Sequence, residues 1–147
     1  MIRSVALRTH RIAAWALVAG IGAQLAMTTF GVFVVAGSRG YLLHVTFGRL
    51  LAVLPLLVLL TALVGRVDRR GLALIGVLVG FVAVQVGLVV LAHEGVFAAM
   101  ALHPINGGAS FVVAGHLASR ADGYVVPRAE AERGAAVGID GRAPAGA

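Results

Sequence analysis

The chain has 147 residues, of which 60% are hydrophobic and 12% are charged, and its mean hydropathy is +0.98. Soluble domains are usually about 45–50% apolar and about 25% charged, so this composition excludes an ordinary soluble domain and indicates a membrane protein. The chain has no cysteine, which excludes disulfides, thiolate metal sites, iron–sulfur clusters and haem attached through a Cys-x-x-Cys-His motif. The formal net charge is +6, and every basic residue is an arginine. Because the arginines lie mostly at the ends of apolar segments and in the tail, we interpret them as topology determinants and expect no nucleic-acid partner.

Four apolar segments follow one another along the chain, at about residues 12–36, 41–64, 72–91 and 96–118. Each is near the ~20 residues that a helix needs to cross the hydrocarbon core of a bilayer. The connections between them are short, so neighbouring helices are expected to run antiparallel. The sequence therefore predicts an all-α integral membrane protein, an antiparallel four-helix transmembrane bundle in contact with the lipid bilayer.

The arginines predict the orientation of this bundle. They cluster before the first segment, between the second and third, and after the fourth (Arg3, Arg8, Arg11, Arg66, Arg69, Arg70 and Arg120). Since basic loops stay on the cytoplasmic side, both termini are expected in the cytoplasm, in a multi-pass protein of the cell inner (plasma) membrane. Residues 1–11 form a basic cytoplasmic N-terminus in this interpretation. Residues 119–147 are rich in glycine, alanine and charge, which predicts a disordered cytoplasmic tail.

The first segment has an alternative interpretation as a signal peptide. Its apolar run is much longer than the 7–15 residues of a usual signal-peptide core. We therefore expect it to remain in the mature protein as a membrane span.

Two histidines lie within the apolar segments at similar predicted depths, His44 in the second and His103 in the fourth. Each is followed four residues later by a glycine, Gly48 or Gly107, on the same helix face. Ionisable residues inside a membrane are functional candidates, and two imidazoles on facing helices can hold the iron of a b-type haem. The pattern predicts His44 and His103 as haem-iron ligands beside two glycines that give clearance, with His93 as a reserve ligand.

Polar residues near these histidines extend the candidate site. Asn106 continues the polar stripe of His103 on the fourth segment, and Gln85 lies in the third. Their amides could hydrogen-bond an imidazole or the edge of a haem, or could hold helices together without a cofactor. Arg49 has no acidic residue in any segment to pair with, so a haem propionate or a lipid phosphate is its expected partner.

The remaining histidines, His10 and His116, lie near the predicted cytoplasmic ends of the segments. We interpret both as residues of the membrane interface.

The runs His44 to Arg49 and Leu102 to Gly107 read His-x-x-x-Gly-Arg and Leu-His-Pro-x-Asn-Gly. In these motifs the chain resembles a family of small, uncharacterised bacterial four-span membrane proteins. With Val84 to Gly87 as the glutamine-containing stretch, it also resembles one four-helix half of the haem A synthase family. The resemblance implies haem binding by His44 and His103. It does not imply haem hydroxylation, because the acidic residue of a haem-oxidising site is missing from the segments.

These patterns predict a protein with a single bis-histidine haem b, acting in electron transfer or haem handling with a redox partner or as a homo-oligomer. No hydrolytic or transferase motif is present, so we expect an electron carrier or membrane subunit rather than an enzyme. The alternative is a structural or partner-binding membrane protein without a cofactor. A small proton-coupled transporter is less well supported, because such proteins use an intramembrane acid and no segment contains one.

Overall fold

A computed structural model describes residues 1–28 and 38–123, with only the backbone described at residues 38 and 39. These ranges are helical, with no β-strand. The helices are α1 (Ile2–Met27), α2 (Ser38–Leu51), α3 (Leu54–Gly65), α4 (Arg69–His93) and α5 (Phe97–Ser119). Most of the predicted tail, from residue 124 onward, lies outside the described residues.

Three described segments are long and apolar enough to cross a membrane: Gly40–Gly65, Arg69–His93 and Phe97–Ser119. They correspond to the second, third and fourth predicted spans, so the prediction of membrane helices is confirmed at these positions. The first predicted span, residues 12–36, reaches into residues 29–37, which lie outside the described ranges. Within those ranges α1 begins at Ile2, so the basic N-terminal residues are part of a helix.

The segment Gly40–Gly65 is divided into two helices. The apolar pattern predicts one continuous span there, at about residues 41–64. Helix α2 ends at Leu51 and α3 begins at Leu54, with Pro55 in its first turn. Proline has no N–H to donate to the carbonyl of Leu51, but its fixed φ suits the first turn of a helix. Pro55 therefore ends one helix and starts the next.

Helix α1 packs against α3 and α5, and α4 packs against the same two helices. Helix α2 contacts α1. The shared core consists of small and branched apolar side chains from four helices (Ala13, Leu17, Ile21, Val58, Ala62, Ile75, Leu78, Ala114 and Leu117). Many other large apolar side chains on these helices are exposed. Apolar helix faces of this kind suit contact with lipid.

Two polar contacts define one end of the molecule. The Arg3 Nε–H donates to the carbonyl of Gly65 over 3.1 Å, and Arg11 pairs with Asp122. These contacts bring the start of α1 to the ends of α3 and α5. We call this the arginine end, and the opposite end, where α2 and α5 begin, the histidine end.

Candidate functional site

His44 and His103 come together at the histidine end. His44 lies six residues after the start of α2 at Ser38, and His103 lies six residues after the start of α5 at Phe97. Their ring centroids are 6.2 Å apart and the ring planes make an angle of 64°. Both residues are partly buried. Two imidazoles that are 59 positions apart in the sequence thus share one small volume.

The His44 ring is held by the side chains of Gln24, in the last turn of α1, and of Thr28, which follows α1 directly. The Gln24 Nε2 atom lies 3.3 Å from His44 Nε2 and also donates to the His44 backbone carbonyl over 2.9 Å. On the other side of the ring, Thr28 Oγ1 lies 3.4 Å from His44 Nδ1. Because α1 and α2 are also in backbone contact, these bonds fix the ring relative to the packed helices.

The His103 ring is held by an amide chain between α4 and α5. The Gln85 Nε2 atom lies 3.0 Å from each of the two ring nitrogens. The Asn106 Nδ2 atom donates to Gln85 Oε1 over 2.5 Å and to the backbone carbonyl of Phe81 over 2.9 Å. Since a carbonyl only accepts hydrogen bonds, the Phe81 carbonyl fixes the orientation of the Asn106 amide. Asn106 in turn directs the Gln85 N–H toward His103.

The two glycines of the predicted site face side chains of α1. A Cβ atom built on Gly48 would lie 2.8 Å from Gln24 Nε2, and one built on Gly107 would lie 3.4 Å from Leu25 Cδ2 and 3.9 Å from Gln85 Nε2. In the structure, therefore, the space beside Gly48 is used by the Gln24 amide. The space beside Gly107 borders on Leu25.

Arg49 and His93, the other two charged or ligand candidates, are both exposed, and the contacts of His93 are with residues other than His44 and His103. Arg49 is exposed in the last turn of α2. His93 is exposed, donates from Nδ1 to the Val89 carbonyl over 2.8 Å and has its Nε2 atom 3.4 Å from the Tyr41 hydroxyl.

The interpretation of His10 as an interface residue is wrong. His10 is only 1% exposed, and its Nδ1 atom lies 3.1 Å from the carbonyl of Val58. The sequence did not show this contact because α1 extends to Ile2 and packs beside α3. His116, by contrast, is exposed near the end of α5.

The contact of Thr28 with His44 was also missed, although Thr28 lies four residues after Gln24 on one face of α1. That spacing was the available signal. Across residues 1–28 and 38–123, no group of three or more His, Asp or Glu side chains could hold a metal ion. The arrangement thus offers two imidazole donors, supported by amides and a hydroxyl.

Part of the chain matches a known protein family. Residues 24–93, slightly less than half of the chain, match the model of a family of unknown function, DUF6220. The matched range begins at Gln24 and includes His44 and Gln85, but it ends before His103. No curated protein and no solved structure matches the chain.

Proposed function

We propose that this chain is an integral membrane protein that holds one b-type haem between His44 and His103 and serves in electron transfer or haem handling. The observation that carries the proposal is the approach of these two imidazoles, from α2 and α5, to 6.2 Å between ring centroids. A metal–imidazole nitrogen bond is about 2 Å long, and the ring centre lies about 1 Å beyond the nitrogen. The observed separation of 6.2 Å would therefore allow one nitrogen of His44 and one of His103 to bind the same iron.

The donor set also suits haem iron. Two neutral imidazoles are a known axial ligand set, and the partly buried surroundings of His44 and His103 limit the access of water. The Gln24 amide and the Leu25 side chain border the two glycines, so both would have to move for a macrocycle to bind there. Movement of the Gln24 amide costs no hydrogen bond at its buried Oε1 atom, but it breaks the bond of Nε2 to the His44 carbonyl.

The roles of the surrounding residues follow from their contacts. Bound haem would supply reversible one-electron chemistry at its iron. Gln85 and Asn106 hold the ring of His103. Gly48 and Gly107 have no side chain, so they leave space on the helix surface beside each ligand. Arg49 is the cation in α2 that we assign to a propionate group. A redox partner or a second copy of the chain in the membrane completes the proposal.

We further propose a four-span bundle in the plasma membrane with the arginine end in the cytoplasm. Arg3 and Arg11 lie at the same end as Arg66, in the turn between α3 and α4, and as Arg69 and Arg70 at the start of α4. Basic segments gathered at one end favour a cytoplasmic location for that end.

The absence of native cysteine makes this orientation testable. Single cysteines at Ser4 and Glu94 mark the two ends, and both positions are exposed. In intact cells an impermeant maleimide should label Glu94→Cys but not Ser4→Cys, and detergent should make both reactive. Labelling of Ser4→Cys alone in intact cells would reverse the orientation.

The first test of haem binding is the absorption spectrum of protein purified in mild detergent, oxidised and dithionite-reduced. We expect sharp reduced α and Soret bands with about one haem per chain. His44→Ala and His103→Ala should each abolish this spectrum, whereas His116→Ala, at an exposed histidine of α5, should retain it. A spectrum that survives both ligand substitutions would refute the assignment.

The observed contacts also favour a second candidate, a structural or partner-binding bundle without a cofactor. The amide nitrogens of Gln24 and Gln85 already lie within hydrogen-bonding distance of the ring nitrogens of His44 and His103. That function predicts a colourless protein even after haem is added, in which Gln85→Leu and Asn106→Leu reduce the free energy of unfolding more than His44→Ala does.

A further inference from the structure

Thr28 lies at the C-terminal end of α1, and its hydroxyl is near Nδ1 of His44, whereas Gln24 is near Nε2. Its hydroxyl hydrogen is used within the helix, because Thr28 Oγ1 donates to the Gln24 carbonyl over 3.0 Å. A hydroxyl has one hydrogen to donate and two lone pairs. Toward His44 Nδ1, at 3.4 Å, the Thr28 oxygen can therefore act only as an acceptor. The Nδ1 atom must carry the ring proton for this contact to be a hydrogen bond.

The other ring nitrogen leads to the same assignment independently. The Gln24 Nε2 atom donates to the His44 carbonyl, and a carbonyl can only accept, so the nitrogen end of the amide faces His44. This N–H group lies 3.3 Å from His44 Nε2 and requires a lone pair there. Both ring nitrogens thus specify one tautomer, with the proton on Nδ1 and the lone pair on Nε2.

We infer that Thr28 is a positioning residue that orients the His44 ring and fixes its Nδ1–H tautomer, so that the Nε2 lone pair becomes available to a metal when the Gln24 amide moves away. The assignment of the tautomer stands on the hydrogen bonds alone, and its use for a metal rests on the proposed function. Metal-bound histidines usually donate the second ring N–H to an acceptor, which fixes the ring and raises the basicity of the ligand. The Thr28 hydroxyl is an acceptor of this kind, supplied by a helix that carries no ligand.

His103 differs from His44 in this respect. One amide nitrogen, Gln85 Nε2, lies equally close to both of its ring nitrogens, so the contacts do not select a tautomer. The effect of Thr28 is therefore specific to one of the two ligands, and His103 serves as an internal reference in the same sample.

The test compares Thr28→Val, which keeps the shape but removes the hydroxyl, with Thr28→Ser, which keeps the hydroxyl. The readout is the nitrogen-15 NMR spectrum of histidine-labelled, haem-free protein in detergent, with His44 assigned by its loss in His44→Asn. Wild type and Thr28→Ser should show the Nδ1–H form at His44. Thr28→Val should lower the ratio of Nδ1–H to Nε2–H forms by about two- to tenfold, the value of one hydrogen bond. Thr46→Val, at an exposed threonine of α2, should leave the ratio unchanged.

Three outcomes would overturn the inference: an Nε2–H tautomer in wild type, an unchanged ratio in Thr28→Val, or equal losses in the Ser and Val variants. The wild-type spectrum alone decides the first, even if a variant does not fold.

In haem-loaded protein, loss of the acceptor should weaken haem binding by about 10–100-fold and shift the midpoint potential, with both restored in Thr28→Ser. Protein that binds no haem but shows the expected tautomers would refute the proposed function and leave the positioning of His44 supported.

Discussion

Substitution of Gly48 by alanine tests the packing of α1 against α2 directly. The new Cβ atom would lie 2.8 Å from Gln24 Nε2, closer than two such atoms can approach, so the amide must move. That movement breaks the bond of Gln24 to the His44 carbonyl and its contact with His44 Nε2. Hydrogen bonds between membrane helices average about 0.6 kcal/mol and reach about 1.7 kcal/mol, so losing both should cost about 1–2 kcal/mol.

Gly76→Ala on α4 is the matched control, because a Cβ atom there meets nothing within 4 Å. Both substitutions gain the same ~0.5–1 kcal/mol of helix propensity, which cancels in the comparison. In reversible unfolding by SDS in mixed micelles, Gly48→Ala should have a free energy of unfolding about 1–2 kcal/mol below that of Gly76→Ala. Equal stability of the two variants, or a more stable Gly48→Ala, would refute the reasoning.

Two further predictions use the same unfolding assay. Asn106→Ala removes the bonds to the Phe81 carbonyl and to Gln85 and should lower the free energy of unfolding by about 1–2 kcal/mol. Ser110→Ala, one turn later, removes only a bond to the carbonyl of Asn106 within the helix, so it should lower the free energy of unfolding by less. A larger loss in Ser110→Ala than in Asn106→Ala would contradict the interhelical role of Asn106. Arg11→Gln breaks an ion pair whose side chains are 56% and 75% exposed, and the free energy of unfolding should change by no more than about 0.5 kcal/mol; a loss above 1 kcal/mol would show that this contact anchors the arginine end.

The membrane helices could be predicted from the sequence because long apolar runs with few charges have few alternatives. The third and fourth predicted spans differ from α4 and α5 by only a few residues at their ends. The break between α2 and α3 escaped prediction, although Pro55 was visible in the sequence. Hydropathy is insensitive to the loss of one backbone donor, and proline is tolerated within membrane helices.

For the candidate site, the sequence placed His44 and His103 at similar depths in two apolar segments, and the structure brings their ring centroids to 6.2 Å from each other. The partners of each ring depend on helix rotation and axial register, which one sequence does not specify. Thr28 and Gln24 were visible as one stripe of α1. That this stripe faces His44, and that His10 is buried against Val58, follows only from the packing of α1.

Each imidazole is held by an amide from the preceding helix, by Gln24 of α1 for His44 and by Gln85 of α4 for His103. During synthesis the ribosome delivers these segments in order, so the first amide–imidazole pair can form before α4 and α5 have been made. The second pair is likewise complete within α4 and α5. A nascent chain that stops after α3 would contain His44 but not His103, and so it would have no two-histidine site. The addition of α5 is therefore the step at which the chain gains the second imidazole of the pair.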